Sequence, residues 1–444
     1  MRNGGQMAAY NVAFRIRRCM ALAFIALTTA APHSIFAKEA AALSLSPEEA
    51  VKYALDGNIN IKREKISLGS AKRTSGTSWN KFIPSINASG TMTGGDNIDD
   101  PTLSAGASLS LGLTPSVYTA IRSASLSYQK QQIDYDTAVR TIELNVRKAY
   151  YNLLYEKENL NLMQANLSTA QRQYNSNAAR YNRGALARLD VLSAQVSWQN
   201  AQVAYEKAQI TLETDMDSFK QILGIAQETQ LELTGSLDKF ISMGEIKKED
   251  TQKSKVTPPE IASLEKQVEI ARNNLLASRF NAWGPTVTGS YSYTMNGTLD
   301  TGIDTDSGTK RWTLGVTIPL DGFIPFSQRA VAISAQKDSL ESLELALENA
   351  KSTFNTNVDS ALRKIKYSQS VIKLRQSSVN LAAQTYSMSL DAYNRGSKDL
   401  LSLQTALDNL TQAKVNLQAE AYNLICNILD LENTLGVPFG TLIK

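Results

Sequence analysis

Polar chemistry in this chain gathers at two places that read almost alike, Tyr181-Asn182-Arg183-Gly184 and Tyr393-Asn394-Arg395-Gly396. Ala185 and Leu186 follow the first, and Ser397 and Lys398 the second. A cation on a short exposed turn can dock a partner protein. It can equally do no more than turn the chain, with Gly supplying a left-handed residue and Arg neutralising a helix C-terminus. Downstream lie Asp190 in the first copy and Asp399, Ser402 and Thr405 in the second. Covalent chemistry is thinly supplied: one histidine, His33, and two cysteines, Cys19 and Cys426. No nucleophile stands beside a base, and neither a phosphate loop nor metal-ligand spacing is present, so no catalysis, cofactor or metal is expected. Asp300, Asp304 and Asp306 lie between Gly297 and Gly308, but their spacing is not that of a calcium loop, and Lys310 and Arg311 stand where a closing acid is needed. That turn reads as a solvated acidic loop, as does the one holding Asp96, Asp99 and Asp100. Cys426 reads as a small buried apolar residue.

The elements that carry these residues are duplicated. Gly184 and Gly224 are forty positions apart, Gly396 and Gly436 are forty apart, and the two pairs are offset by 212. Upstream, neither Gly nor Pro occurs between Pro115 and Gly184 or between Pro325 and Gly396. Each half therefore contains one very long helix and one shorter helix joined at a tip. At 1.5 Å per residue the long member reaches roughly 100 Å, several times the width of a compact domain. Pro84 and Pro285, which lead the strand regions, are offset by only 201, so the halves differ by eleven residues between strand and tip. Leu400, Leu403, Leu407, Leu410, Leu417, Leu424, Ile428, Leu431 and Leu435 form a coiled-coil seam, with Lys414 and Ala421 in its gaps. Leu189, Leu192, Val196, Val203 and Ile210 read as a shorter version of the same seam.

Four stretches alternate with period two. Ile86, Ala88, Gly90 and Met92 oppose Asn87, Ser89, Thr91 and Thr93; Leu103 to Leu113 alternates with Ser104, Gly106, Ser108, Ser110 and Gly112; Val287 to Met295 and Trp312 to Leu320 behave alike. Strands of about 9–11 residues with one small, uncharged polar face suit a tilted crossing of a membrane. Four cannot close a barrel, and lipid does not tolerate an open edge, so copies must pool their strands. Hairpins packed on a soluble core are the alternative. Against it, Trp79 and Phe82 enter the first hairpin and Phe280 and Trp283 the second, as an interfacial aromatic belt would.

At the N-terminus, Arg15, Arg17 and Arg18 precede an apolar run from Cys19 to Ala31, and small residues continue to Ala37. That order is a secretory leader, cleaved after Ala31 or Ala37 and too short to be a membrane span. Cys19 is wrongly placed for lipidation, so no lipid anchor is expected. Ser46, Pro47 and Glu49 then start a helical stretch that runs towards Trp79, loosened near Gly57 and Gly69. The expected organisation is a signal peptide over 1–37, a first repeat over 38–233 with its hairpin near 83–113, a connector over 234–258 holding Lys247-Lys248-Glu249-Asp250, and a second repeat over 259–444 with its hairpin near 285–320. The net charge is only +4 across 444 residues, and cations alternate with acids, which excludes nucleic acid as a partner.

This layout resembles the TolC-like outer membrane efflux protein family. The likeness is carried by Phe82-Ile83-Pro84-Ser85-Ile86, by Gly315-Val316-Thr317-Ile318-Pro319-Leu320 and by Ala149-Tyr150-Tyr151-Asn152-Leu153-Leu154. Its best match is Tyr181-Asn182-Arg183-Gly184 followed by Asp190-Val191-Leu192 and Ala194-Gln195. It implies an α+β membrane protein: long helical hairpins in a trimeric α-barrel, plus four transmembrane strands per chain in a shared β-barrel. It also implies a homotrimer in the outer membrane of a Gram-negative-type envelope, in contact with outer-membrane lipid and extending through the periplasm. Its tips would be closed at rest and would meet a periplasmic adaptor and an inner-membrane pump of RND, ABC or MFS type. Members place gate acids just after the second tip, where this chain has Ser402 and Thr405, with Lys398 and Asp399 nearby and Asp190 in the first copy; the resemblance makes these five the candidates for a periplasmic gate. A passive exit duct of a tripartite efflux or type I secretion system is the leading reading; a secreted or periplasmic coiled-coil scaffold or adhesin explains the helices and leader but not the four strands.

Overall fold

The computed structural model describes residues 43–94, 100–242, 258–304, 306 and 308–442. The leader, Asp96, Asp99 and Lys247 to Asp250 lie outside them. A short strand β1 (Leu43–Leu45) precedes α1 (Pro47–Gly57) and α2 (Ile59–Gly76). Ser46 caps α1 in a capping box with Glu49, and Pro47 fills the first helical position. The break towards α2 falls at Asn58, whose Oδ1 accepts the Asn60 N–H at 2.8 Å while its amide donates to the Ile222 carbonyl at 2.9 Å. Gly69 leaves α2 unbroken, contrary to the sequence expectation; one glycine costs a helix only about 1 kcal/mol, which packing overrides.

Strands β2 (Ser85–Thr93) and β3 (Thr102–Leu113) lead into α3 (Ser116–Asn182), which turns at Gly184 into α4 (Arg188–Leu223). Strand β4 (Leu231–Leu233) and the one-turn α5 (Asp238–Ile241) follow; α6 (Pro259–Trp283), β5 (Thr286–Thr298), the two-residue β6 (Gly302–Ile303), β7 (Thr309–Thr317), α7 (Gln328–Asn394) and α8 (Leu400–Leu435) make the second half. Both long helices have 67 residues and both short ones 36. The eleven-residue difference therefore lies ahead of the second long helix. Strand β7 ends at Thr317 rather than at Leu320, and ten residues separate it from α7 where two separate β3 from α3.

Pairing runs β2-β3-β5-β7, all antiparallel, so the two hairpins form one sheet joined across the repeat boundary by β3 and β5. The register sorts the faces. Ile86, Leu109, Tyr291 and Trp312 stand opposite one another in turn, as do Ala88, Ala107 and Tyr293, whereas Ser110 pairs Ser85 and Ser290, and Ser290 pairs Thr313. One face is thus apolar apart from Lys310, which stands opposite Tyr293, and the other is hydroxyl-rich apart from Arg311 opposite Ser292. Residues on both faces are largely exposed, and β2 and β7 are left as edges.

Among the helices, α4 packs on α3, α3 on α8, and α8 on α7, so α4 and α7 form the two flanks. The upper part of α3 also meets α2 and α6, and α6 meets α7; Arg272 pairs Glu344 at 2.8 Å and Lys351 pairs Glu265 at 3.2 Å. The seam of α8 forms as expected: Leu417, Leu424, Ile428, Leu431 and Leu435 are buried against Ile365 and Ile372 of α7, each contributing about 1.5–3 kcal/mol. The corresponding series on α4 does not pack within the chain. Leu189, Leu192, Val196, Val203 and Ile210 face outward, from 47% exposed at Leu192 to 73% at Leu189, and the buried positions are Ala194, Ala201 and Ala208, spaced by seven. Small residues let α4 lie close on α3 and put the larger apolar stripe on the flank. At the end of α8 the buried Glu432 carboxylate takes the N–H groups of Gly440 and Leu442 at 2.9 and 2.7 Å, folding the C-terminal residues back. Arg140 reinforces this by donating to the carbonyls of Glu432 and Val437.

Candidate functional site at the hairpin tips

Both tips are built by the same backbone device. Gly184 and Gly396 have φ of 74° and 76°, a region open to glycine at no steric cost. The Gly184 N–H bonds the Tyr181 carbonyl at 2.8 Å and the Ala185 N–H that of Arg180 at 2.9 Å; Gly396 with Tyr393 and Ser397 with Ala392 repeat this at 2.9 Å each. These paired bonds satisfy the last carbonyls of each long helix and fix the reversal. A Cβ on either glycine would meet open space, so conformation alone requires glycine here.

The side chains of the two tips differ in employment. Arg183 donates from Nε to the Ala179 carbonyl at 3.2 Å, neutralising the end of α3. Asn182, Ala185, Asn394, Arg395, Ser397 and Lys398 are exposed and Leu186 half-buried. Among the described residues the side chains of Asp190, Arg395 and Lys398 have no hydrogen bond or ion pair, although the Lys398 charge acts on neighbouring Asp399. Asp190 sits half-buried in the first turn of α4. Asp399 is occupied instead: it caps α8, accepting the Ser402 N–H at 2.9 Å, and hydrogen bonding by the Ser402 hydroxyl and backbone holds its carboxyl below the usual range. Thr405 is exposed and returns its hydroxyl to the Leu401 carbonyl at 2.9 Å.

Near the tips the two hairpins are joined through a contact between Tyr393 and Asn177 that sequence reasoning missed. Tyr393 is buried, and its hydroxyl donates to Asn177 Oδ1 at 2.8 Å. Gln173 donates to the same oxygen at 3.0 Å, and the Arg180 guanidinium lies 5.5 Å over the Tyr393 ring. Around them Ala194, Leu400 and Leu403 are buried with Tyr174, Tyr386 and Leu390 packed on, and Tyr174 stacks on Trp198 at 5.3 Å. Asn177 is fully buried with its Nδ2 unpaired, so the contact holds a polar group at some cost. The tyrosine was legible only as half of a repeated tip; nothing local distinguishes Asn177 from its many polar neighbours.

Elsewhere, Trp79, Phe82 and Trp283 are exposed and Phe280 half-buried. Trp79 and Phe82 lie in the turn before β2, and Phe280 and Trp283 in the last turn of α6 before β5. Asp304 accepts the Asp306 N–H at 2.9 Å within the acidic turn. Cys426 is half-buried beside Tyr422, and burial pushes its thiol up. No helix among the described residues is long and apolar enough to cross a membrane.

With this geometry established, comparison gives a consistent picture. The profile of the outer membrane efflux protein family matches residues 51–225 and 251–437. The chain is similar to the Campylobacter jejuni CmeC outer membrane channel, with a TM-score of 0.74 and 17% identity over 88% of this chain and 85% of that one. Its TM-score with the Neisseria gonorrhoeae MtrE outer membrane channel in the open state is 0.71, at 18% identity over 88% and 89%. The outer membrane protein VceC of Vibrio cholerae gives 0.68 at 14% identity over 88% and 96%. At these identities the likeness shows the fold, long helical hairpins with a strand sheet, and nothing more. No curated protein matches the sequence.

Proposed function

The chain belongs to the outer membrane efflux protein family, and we propose that three copies close into a duct whose inner end is formed by the hairpin tips. The carrying observation is that the chain ends sideways in matching edges. Among the described residues strands β2 and β7 have no partner on their outer sides. On the helices, the exposed α4 series Leu189, Val196, Val203, Ile210 has a counterpart on α7, where Tyr367, Leu374, Leu381 and Met388 also recur every seven residues and are 61–72% exposed. Counted from the tip glycines the α4 series begins five residues away and the α7 series eight. Antiparallel helices so offset interleave like knobs and holes, over roughly 30 Å. An α4 flank meeting the α7 flank of the next copy is a head-to-tail contact, which makes a ring. Three copies bring about twelve strands, enough for a barrel with the hydroxyl-rich face inward and the apolar face in lipid.

In this reading the protein is a passive exit duct of an efflux or secretion system, in the outer membrane with a long periplasmic portion. Energy comes from an inner-membrane pump through a periplasmic adaptor. Arg395 and Lys398, exposed and without a hydrogen bond or ion pair among the described residues, with Arg183 and the exposed tip backbone, offer the adaptor a cationic rim. Closure at rest rests on the Tyr393–Asn177 hydrogen bond that holds the second tip to the first, with Asp190, Lys398, Asp399, Ser402 and Thr405 around the opening and Asp190 its free carboxylate. Val203→Cys with Leu374→Cys, in a Cys426→Ser background, tests the ring: oxidation of outer-membrane fractions should give covalent dimers and trimers. A soluble, monomeric protein without cross-links would refute the duct and favour a scaffold.

A further inference from the structure

The ten residues from Ile318 to Ser327, which replace Thr114 and Pro115 of the first repeat, are not spacer. Ile318, Leu320, Phe323, Ile324 and Phe326 are all exposed, Phe326 to 94%. Phe326 also has φ of 65°, the one positive value off glycine among the described residues, a conformation that residues with a Cβ avoid. Yet the base of this loop is fixed. The Trp283 indole donates to the Gly322 carbonyl at 3.0 Å and stacks on Phe323. Gly322 lies so close to α6 that a Cβ there would be 2.2 Å from the Ala282 carbonyl oxygen. Arg329 ties the far side, pairing with Asp321 at 3.0 Å and donating to the Asn281 carbonyl.

We propose that Phe323-Ile324-Pro325-Phe326 is an interfacial anchor that enters the acyl chains of the phospholipid leaflet at the helix-proximal rim of the sheet. The inference rests on the duct reading, because that reading puts the apolar strand face in lipid. Ile318 and Leu320 lie just past the end of β7 and are exposed like Trp312, Leu314 and Val316 on its apolar face, so apolar surface runs on from the strand into the loop. Trp79, Phe82 and Ile83, exposed in the turn that enters β2, extend the band at the sheet's other edge. Unpaired N–H groups are costly in a dry medium, and most of the loop's are paired, the Phe326 N–H being the one left open among those from Phe323 to Ser327. Phe323 donates to the Leu320 carbonyl at 3.1 Å, Ile324 to that of Asp321 at 3.1 Å and Ser327 to that of Ile324 at 3.2 Å, and Pro325 has no N–H. Asp321, Arg329 and the exposed Lys81 then fall at headgroup level, which suits a zwitterionic and anionic phospholipid surface.

Full-length protein with Phe326→Cys in the Cys426→Ser background, labelled with bimane and reconstituted in phosphatidylethanolamine/phosphatidylglycerol vesicles, tests this. Brominated acyl chains should halve the emission roughly, since interfacial segments sit ~5–10 Å deep, and aqueous iodide should barely change it. Quenching by iodide alone would place the loop in water, and protection from both quenchers would place it under a neighbouring copy; either overturns the anchor. Leu314→Cys, on the apolar strand face, is the internal control. If Leu314 is quenched by brominated lipid and Phe326 is not, the anchor fails while the barrel stands; if neither is, the duct reading fails first.

Discussion

Replacing Tyr393 by Phe isolates the bond between the tips. The substitution keeps the ring in the cluster of Ala194, Leu400 and Leu403 and keeps a π-face for Arg180, because Phe accepts a cation as Tyr does. It removes the 2.8 Å donation to Asn177 and leaves that oxygen with Gln173 alone. A buried neutral hydrogen bond contributes about 0.5–1.5 kcal/mol net. If three subunits open together, the closed state loses about 1.5–4.5 kcal/mol, and at 1.4 kcal/mol per decade the open fraction rises roughly ten- to a thousand-fold. Single-channel recording in planar bilayers should show longer openings, and cells carrying the variant should become sensitive to large antibiotics that a closed duct excludes. Asn177→Ala should reproduce the effect, and Tyr393→Phe with Asn177→Ala should add little to either alone, since both remove one bond. Unchanged open probability in both single variants, in trimers of normal assembly, would refute a gate held by this contact.

Two other outcomes follow from the same geometry. Arg183→Glu with Arg395→Glu reverses the cationic rim and should abolish transport in cells while the trimer still assembles in the membrane; normal transport would end the docking role. Asp399 has a folded pKa below its ordinary value, so its charge supports the α8 cap fully above the unfolded pKa of about 3.9 and is lost as pH falls through the folded value. Asp399→Asn keeps a capping oxygen without the charge. Melts of wild type and variant should therefore differ at neutral pH and converge below about pH 4, and a gap constant from pH 7 to 3 would show that the charge does nothing there.

Much of this protein was determined locally and could be read without coordinates. Gly and Pro mark where helices must stop, so the two 67-residue helices, the two 36-residue helices and both tips follow from punctuation alone. Strict alternation gave the four strands and sorted their side chains into two faces, because a period of two fixes the face whatever the partner. The tertiary structure decided which surfaces meet. Periodicity says that Leu189, Val196 and Ile210 share a stripe, but not what covers it; Ala194, Ala201 and Ala208 win the contact with α3 because small residues allow closer approach, and the larger stripe is left for a neighbour. The pairing of β3 with β5, nearly two hundred residues apart, and the meeting of Tyr393 with Asn177 are likewise non-local. No neighbouring residue signals either one, because each depends on how two long hairpins settle against each other after their own helices have formed.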